Sequence, residues 1–211
     1  MSTENTHTDN KTRIEKQFDF CREIDKEKFI QRQTYLSDGR KKENDAEHAW
    51  HMAVMTVLLS EYANEKIDVL KTVTMLLIHD IVEIDAGDTY AYDEEGKKTQ
   101  RQREEAAADR IFGLLPEDQQ KKFRDLWEEF EKEETPEAKF AHTMDNLQPV
   151  MLNAASDGKS WAEKGVRLSQ ILGRNRNTAA GSEKLWEYSY HNLICPNVEN
   201  GRIKNDTNDV K

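Results

Sequence analysis

The sequence has few of the residues that mark disulfide-rich, zinc-knot or membrane proteins. Only two cysteines occur among 211 residues, and Cys21 and Cys195 fit neither a disulfide framework nor a CxxC-type zinc site. No apolar run approaches the roughly 20 residues that a membrane span requires. The polar first residues also lack the apolar stretch of a signal peptide. We therefore expect a cytoplasmic protein with reduced thiols and no membrane partner.

Positive charge is scarce as well. Against 31 lysines and arginines stand 41 aspartates and glutamates, which gives a net charge of −10 at pH 7. Broad contact with a nucleic-acid backbone needs a basic surface, so we expect no nucleic-acid partner. There is no glycine-rich phosphate loop and no alternating strand pattern, which disfavours α/β nucleotide-binding folds. A phosphate substrate would have to be bound by a metal and a few basic side chains.

What the sequence does contain is helical periodicity in a heavily charged chain, 36% hydrophobic and 34% charged. We predict an all-α fold: a single compact multi-helix domain over residues 13–197, between flexible tails at 1–12 and 198–211. Asn44 and Glu47 form a capping-box pattern before an apolar run that is typical of a central helix. The predicted helices cover about residues 13–35, 44–59, 68–87, 99–115, 123–130, 136–151 and 183–192.

Several ionisable residues interrupt the apolar helices. His79 and Asp80 stand side by side at the end of one, where burial is costly unless they pair or bind a metal. Glu83 lies four residues after His79 and three after Asp80, which places its carboxylate on the same helical face as both. His48 opens an earlier apolar helix and Asp145 interrupts a later one. These positions are candidates for one shared site.

The order H, then HD, then D, each on its own apolar helix, resembles the HD-domain superfamily of metal-dependent phosphohydrolases. Residues 79–88, HDIVEIDAGD, are similar to the HDxxE…GD motif of the branch that includes the 5′-deoxynucleotidases and related HD-containing hydrolases. The resemblance covers roughly residues 29–154. It implies a buried metal site, a homodimer and the release of phosphate from nucleoside or deoxynucleoside 5′-monophosphates.

The resemblance also implies a role for individual residues. The implied metal ligands are His48, His79, Asp80 and Asp145. Glu83 is then the acid–base catalyst, and Asp88 contacts the nucleotide sugar. Arg32 matches, at slightly different spacing, an arginine that lies near the phosphate. Gln33 stands where that branch has a tryptophan, which leaves selectivity between deoxyribose and ribose open.

Two neutral imidazoles and two carboxylates balance a divalent charge and suit Mn, Co, Fe or Zn better than Mg. A metal held in this way polarises a phosphoryl group, while Glu83 moves a proton between nucleophile and leaving group. Dinuclear members of the superfamily need further histidines between the HD pair and the last Asp, where this chain has only His142. We therefore expect one divalent metal per chain.

Several residues near the candidate site can have either a functional or a structural role. His51 is expected to be an inner hydrogen-bonding histidine rather than a ligand, and His142 a supporting or surface residue. Tyr90 and Tyr92 can stack on a base or pack against the domain edge. Pro149 cannot donate to the carbonyl of the residue four positions earlier, which predicts a kink there.

Two other functions stay open: hydrolysis of another small phosphate ester, and a non-catalytic nucleotide-binding regulator. The presence of Glu83 together with all four implied ligands favours an enzyme over a regulator. The expected dimer rests on the resemblance and on large apolar side chains, including Trp127 and Trp186, that are available for a contact.

Overall fold

The structure is a computed structural model that describes residues 11–91 and 93–207, without the side chains of residues 94 and 97. Helices dominate it, which confirms the predicted all-α class. They are α1 (Arg13–Glu23), α2 (Asp45–Leu59), α3 (Val69–Ile78), α4 (Glu83–Ala86), α5 (Glu94–Phe112), α6 (Glu117–Lys132), α7 (Pro136–Ala155), α8 (Lys159–Lys164), α9 (Leu168–Arg174), α10 (Thr178–Gly181), α11 (Glu183–Ser189) and α12 (Cys195–Glu199). Short 3₁₀ segments cover Ile24–Phe29 and Ser60–Tyr62, and a π-helical turn, Tyr190–Ile194, joins α11 to α12.

The helices begin where the side chains satisfy free backbone N–H groups. Asn44 accepts from the backbone N–H of Glu47, whose carboxylate accepts in return from the N–H of Asn44, and this is the predicted capping box of α2. Asp68 caps α3 by a single bond, since its side chain accepts from the N–H of Lys71, and Pro136 occupies the first turn of α7, where its missing N–H costs nothing. These caps fix the starts of the three helices that carry the site.

The prediction of one helix over residues 13–35 was wrong. α1 ends at Glu23, and after the 3₁₀ segment the chain forms strand β1 (Gln31–Tyr35). This strand pairs antiparallel with β2 (Lys42–Asn44), with an irregular register between its ends. The pairing partner lies immediately before the cap of α2, so a long-range contact overrides the helical pattern. As a result, the hairpin brings β1 beside the start of α2.

Three groups of buried apolar side chains form the core. One group lies between α1, α5 and α6 and includes Ile111, Phe112 and Trp127. The second lies between α2, α3, α6 and α7 and includes Met52, Met75, Phe140 and Met144. The third gathers the short C-terminal helices and includes Trp161, Leu168, Ile171 and Ile194. Helix α7 has twelve buried residues, so it runs through the interior and can present polar side chains to a dry site.

Residues 198–207 differ from the flexible tail that their polar composition predicted. Val198 and Ile203 are buried in the third apolar group. The N–H of Lys204 donates to the carbonyl of Val166 over 2.9 Å, and its carbonyl accepts from Leu168 over 2.9 Å. Two apolar residues and a short bridge are therefore enough to anchor this segment. Residues 1–10 and 208–211 of the expected tails lie outside the described residues.

Helix α2 also differs from the fully enclosed central helix that its composition predicted. Trp50, Val54, Val57 and Leu58 recur at helical spacing and are 50–69% exposed. The opposite face, with Met52, is buried against α3 and α7. Within the ranges that the structure describes, no helix combines the length and hydropathy needed to cross a membrane.

Candidate metal centre and active site

The His-Asp pair lies where a helix breaks. We predicted one helix from about residue 68 to Gly87, but α3 ends at Ile78 and tight turns follow up to Glu83. In these turns the N–H of Glu83 donates to the carbonyl of Asp80 over 2.8 Å, an i to i+3 bond. The break does not separate the carboxylates, because Asp80, Glu83 and Asp45 each bring an oxygen within 4.8 Å of the others.

Three helices bring two imidazoles and a carboxylate together. His48 of α2, His79 at the end of α3 and Asp145 of α7 each present a donor atom within 4.8 Å of the other two. Asp145 Oδ1 lies 3.1 Å from Nε2 of His48 and 3.9 Å from Nε2 of His79. Asp80 joins the group, since its Oδ2 is 3.0 Å from Nε2 of His79. The structure thus brings together all four residues that the resemblance singled out.

Hydrogen bonds on the far side of each ring fix its orientation. Nδ1 of His79 donates to the carbonyl of Leu76 over 2.9 Å. Nδ1 of His48 lies 2.9 Å from Oε1 of Gln148, whose Nε2 donates to Glu43 over 2.8 Å. Because Gln148 uses its amide for Glu43, its oxygen must accept from His48. Both rings therefore turn Nε2 to the space beside Asp145, the orientation typical of metal-bound histidines.

A divalent cation suits these residues. Nε2 of His79 is buried and forms no hydrogen bond of good geometry with the described residues, although Asp80 Oδ2 lies 3.0 Å away, and a cation bound there would satisfy both atoms. Burial, reinforced by Arg32, lowers the pKa of His48 to about 4, so this ring is neutral. For His79, burial disfavours the charged ring, but the carboxylates of Asp80 and Asp145 raise its pKa to about 9. A bound cation takes the place of that proton.

Two carboxylates keep a negative charge in spite of burial. Burial disfavours ionisation of Asp80, but the positive charges of His79 and Arg32 hold its pKa below the usual range. Arg174 and the His48 ring likewise outweigh burial and hold the pKa of Asp145 well below its ordinary value. Two carboxylates and two neutral imidazoles balance a divalent charge in a buried pocket.

Arg32 lies among carboxylates rather than in open space. Its Nη1 donates to Asp80 over 2.8 Å and to Asp45 over 3.1 Å, and its Nε is 3.7 Å from Glu43. The remaining negative charge is partly suppressed, because burial and the proximity of Asp80 raise the pKa of Asp45 to about 8. Burial raises the pKa of Glu83 well above its ordinary value, and Asp80 adds to this shift. The guanidinium of Arg32 is thus the cation that stabilises this side of the site.

A cavity of about 280 Å³ adjoins these groups. Its walls include Glu83, Asp88 and Tyr90. Gly87 follows α4 with φ 76° and ψ 147°, a backbone conformation that only glycine adopts readily, and it turns the chain so that the next residues line the cavity. Burial raises the pKa of Asp88. Tyr92 lies outside the described residues.

Sequence reasoning missed four residues of the site: Glu43, Asp45, Gln148 and Arg174. Gln148 had a weak signal, since it lies three positions after Asp145 on the same face of α7. His51 agrees with its expected inner role, because its Nδ1 lies 3.2 Å from Nε2 of Gln148. His142 is a supporting residue that donates from Nε2 to the carbonyl of Phe130.

Comparisons with known proteins of similar sequence and fold agree on the family. The HD domain family model matches residues 24–186. The chain is 31% identical over 132 residues to the 5′-deoxynucleotidase HDDC2 of Homo sapiens, an alignment that covers 63% of this chain and 62% of the human protein. It is 32% identical over 132 residues to the Bos taurus protein of the same name, with the same coverage. The chain thus spans less than two thirds of the length of these curated relatives.

A solved structure supports the comparison at the level of the fold. The crystal structure of a predicted metal-dependent phosphohydrolase from Magnetospirillum magnetotacticum MS-1 has a TM-score of 0.86 and 44% sequence identity to this chain. The match covers 90% of this chain and 95% of that one. With the family model matched over most of its length and the His and Asp side chains of the motif brought to one buried point, the chain belongs to the HD-domain family.

Proposed function

We propose that this protein is a metal-dependent phosphomonoester hydrolase that releases phosphate from nucleoside or deoxynucleoside 5′-monophosphates. One observation carries the proposal: two buried imidazoles have their Nδ1 atoms bonded away from the site and their Nε2 atoms beside Asp145, next to a cavity. A site of this kind is incomplete without a cation. The names of the similar proteins, 5′-deoxynucleotidase and metal-dependent phosphohydrolase, support the reaction class.

In this proposal, one divalent cation per chain, Mn, Co, Fe or Zn, is held by His48, His79, Asp80 and Asp145. When bound, it supplies the positive charge that polarises the phosphoryl group. The second acidic group, Asp45 with Asp80 and Glu83, is also compact enough for a cation. The guanidinium of Arg32 already lies against two of its members, which favours one metal over two.

Glu83 is the proposed acid–base catalyst. It lines the cavity, is 7% exposed, and its Oε2 has no hydrogen-bond partner among the described residues. Burial and Asp80 raise its pKa, which favours the protonated acid. As water attacks phosphorus and the P–O bond to the sugar breaks, Glu83 donates this proton to the leaving oxygen. A proton from the water then restores the carboxylic acid.

Two further side chains take part in substrate binding. Asp88 lines the cavity behind Gly87, and we propose that it accepts a hydrogen bond from a sugar hydroxyl. Arg32 also lines the cavity, and its proposed contact with the phosphate uses Nη2, since Nη1 is bonded to carboxylates. Much of its charge is already shared, so its contribution to phosphate binding is small.

We also propose a homodimer, through a different surface from the one that the sequence indicated. Trp127 is fully buried and cannot contact a partner. The exposed stripe of Trp50, Val54, Val57 and Leu58 on α2 supports a contact, because apolar residues at helical spacing on one outer face are costly in water. Light scattering of the wild type should give twice the chain mass, and Val57→Asp should give the monomer. A monomeric wild type contradicts the dimer.

The reaction is tested by a phosphate-release screen over nucleoside 5′-monophosphates and sugar phosphates, with Mn, Co, Fe, Zn or Mg added to metal-free protein. We expect release from nucleotides with Mn or Co, its loss on chelation, and none from His79→Ala. Release only from sugar phosphates would replace the proposed substrate with another phosphate ester. Metal binding without release from any ester would indicate a regulator instead.

A further inference from the structure

Arg174 reaches the metal side of the site from the far end of the chain. It is the last residue of α9, and its Nη2 donates to Oδ2 of Asp145 over 2.9 Å. His48 contacts the other carboxylate oxygen of Asp145, since its Nε2 lies 3.1 Å from Oδ1. The Arg174 side chain is 44% exposed and lines the cavity, whereas Asp145 is almost fully buried. Its guanidinium therefore joins a buried site residue to the open space where a substrate would lie.

Arg174 differs from Arg32 in how much of its charge is available. Arg32 is 13% exposed and contacts three carboxylates. Arg174 contacts one, Asp145, and its Nε and Nη1 make no hydrogen bond to the part of the chain that the structure describes. Nη2 also has a second N–H group, so one edge of the guanidinium can still donate two N–H groups to the oxygens of a phosphate. Of the two arginines that line the cavity, Arg174 has more free donors and more solvent access.

The backbone that carries Arg174 is held firmly. Leu168 and Ile171 of α9 are 0% and 1% exposed in the third apolar group. The next residue, Asn175, is 3% exposed, donates to the carbonyl of Ile171 over 2.9 Å and accepts from the hydroxyl of Thr178 over 3.2 Å. A guanidinium on a fixed base loses less freedom when it binds a ligand, which favours a binding role.

The cavity needs such a group because its walls are acidic. Asp80, Glu83, Asp88 and Asp145 all line it, and a phosphate monoester brings further negative charge. We propose that Arg174 is the main phosphate-binding side chain, which holds Asp145 through one N–H of Nη2 and donates its remaining N–H groups to the phosphate. This inference rests on the proposed phosphomonoester substrate and names the residue that recognises its phosphate.

The test compares Arg174→Ala and Arg174→Lys with Arg176→Ala, an exposed arginine two positions later that does not line the cavity. Binding of inorganic phosphate to the Mn-loaded proteins is measured by calorimetry, together with metal content and, for nucleotides, KM and kcat. A charge-assisted pair of hydrogen bonds predicts that Arg174→Ala weakens phosphate binding and raises KM by about 10- to 100-fold. Arg174→Lys should recover part of the loss, and Arg176→Ala should match the wild type.

The result that overturns the inference is phosphate affinity in Mn-loaded Arg174→Ala within about twofold of Arg176→Ala. The same holds if Arg174→Ala merely binds less metal and recovers full phosphate affinity once metal is saturating, because Arg174 then acts only through Asp145. Calorimetry needs no turnover, so the two proposals fail separately. A wild type that binds phosphate through Arg174 but hydrolyses no ester contradicts the proposed function alone.

Discussion

In the half of the site formed by His48, His79 and Asp145, both rings are held by bonds on their outer nitrogens and turn Nε2 inward. Nε2 of His79 makes no hydrogen bond of good geometry to the described residues. In the half formed by Asp45, Asp80 and Glu83, the guanidinium of Arg32 already lies against the carboxylates. Both halves are buried, but Arg32 contacts two of the three carboxylates of the second half, whereas Arg174 contacts only Asp145 of the first and neither imidazole. The imidazole half is therefore the one that requires a metal.

The two halves also differ in the protonation states that their surroundings favour. In the carboxylate half, burial and mutual repulsion raise the pKa values of Asp45 and Glu83, which favours their protonated forms. In the imidazole half, Asp145 stays ionised and His48 stays neutral, which are the states that ligate a metal. Asp80 belongs to both halves, because it contacts His79 and Arg32.

Asp80→Ala should therefore have the largest effect. We expect the variant to lose its metal, because three donors remain but the charge balance is lost, and activity should fall to that of metal-free protein. Helical content should remain, since Asp80 lies in the turn between α3 and α4 and not within a helix. Elemental analysis and circular dichroism check both points. Full metal content in Asp80→Ala would show that Asp80 is not a ligand.

Glu83→Ala should impair the carboxylate half and leave metal binding by the imidazole half unchanged. Proton transfer is lost while the imidazole half is intact, so turnover should fall by roughly 10²- to 10⁴-fold with metal content unchanged. The variant should also bind a nucleoside monophosphate without cleaving it. Steady-state kinetics and elemental analysis on the same preparation provide the measurement. Normal turnover with full metal would remove Glu83 from the acid–base role.

Arg32→Ala tests whether the carboxylate half depends on its own cation. Removal of one partner of a buried ion pair costs roughly 3–5 kcal/mol, since the other charges are left uncompensated. We expect a loss of this order in the free energy of unfolding, measured by urea denaturation of metal-free protein. Arg40→Ala, at an exposed position in the hairpin turn, is the control. Equal stability of the two variants would contradict the role of Arg32.

Gln148→Ala should have the smallest effect, on the orientation of one ring. The variant leaves Nδ1 of His48 without its acceptor, so the ring loses the bond that turns Nε2 toward Asp145. Loss of such an outer partner typically lowers metal affinity by about 10- to 100-fold. Competition with a chelating dye measures this affinity. If the affinity of Gln148→Ala equals that of the wild type, another contact orients His48.

The sequence permitted prediction of the helical class, the cap of α2, the start of α7 and the convergence of His48, His79, Asp80 and Asp145, because each has a local signal. These signals are a capping box, a proline at a helix start, and polar residues that interrupt apolar runs.

The remaining features depend on contacts between distant parts of the chain. Strand β1 exists because it pairs with β2, and α3 breaks after Ile78 because the polar side chains that follow turn to one buried point. Arg174 had no signal, since it meets Asp145 across 29 positions of sequence. Gln148 could have been found from its spacing, but its partners, His48 and Glu43, are about 100 residues away.

The most direct measurement is an anomalous difference map from crystals grown with Mn²⁺. We predict one peak per chain, within bonding distance of Nε2 of His48, Nε2 of His79 and a carboxylate oxygen each of Asp80 and Asp145, with Arg32 still bonded to Asp45 and Asp80. A map with no peak at that position, or with an equal peak among Asp45, Asp80 and Glu83 and Arg32 displaced, would contradict this account of the site.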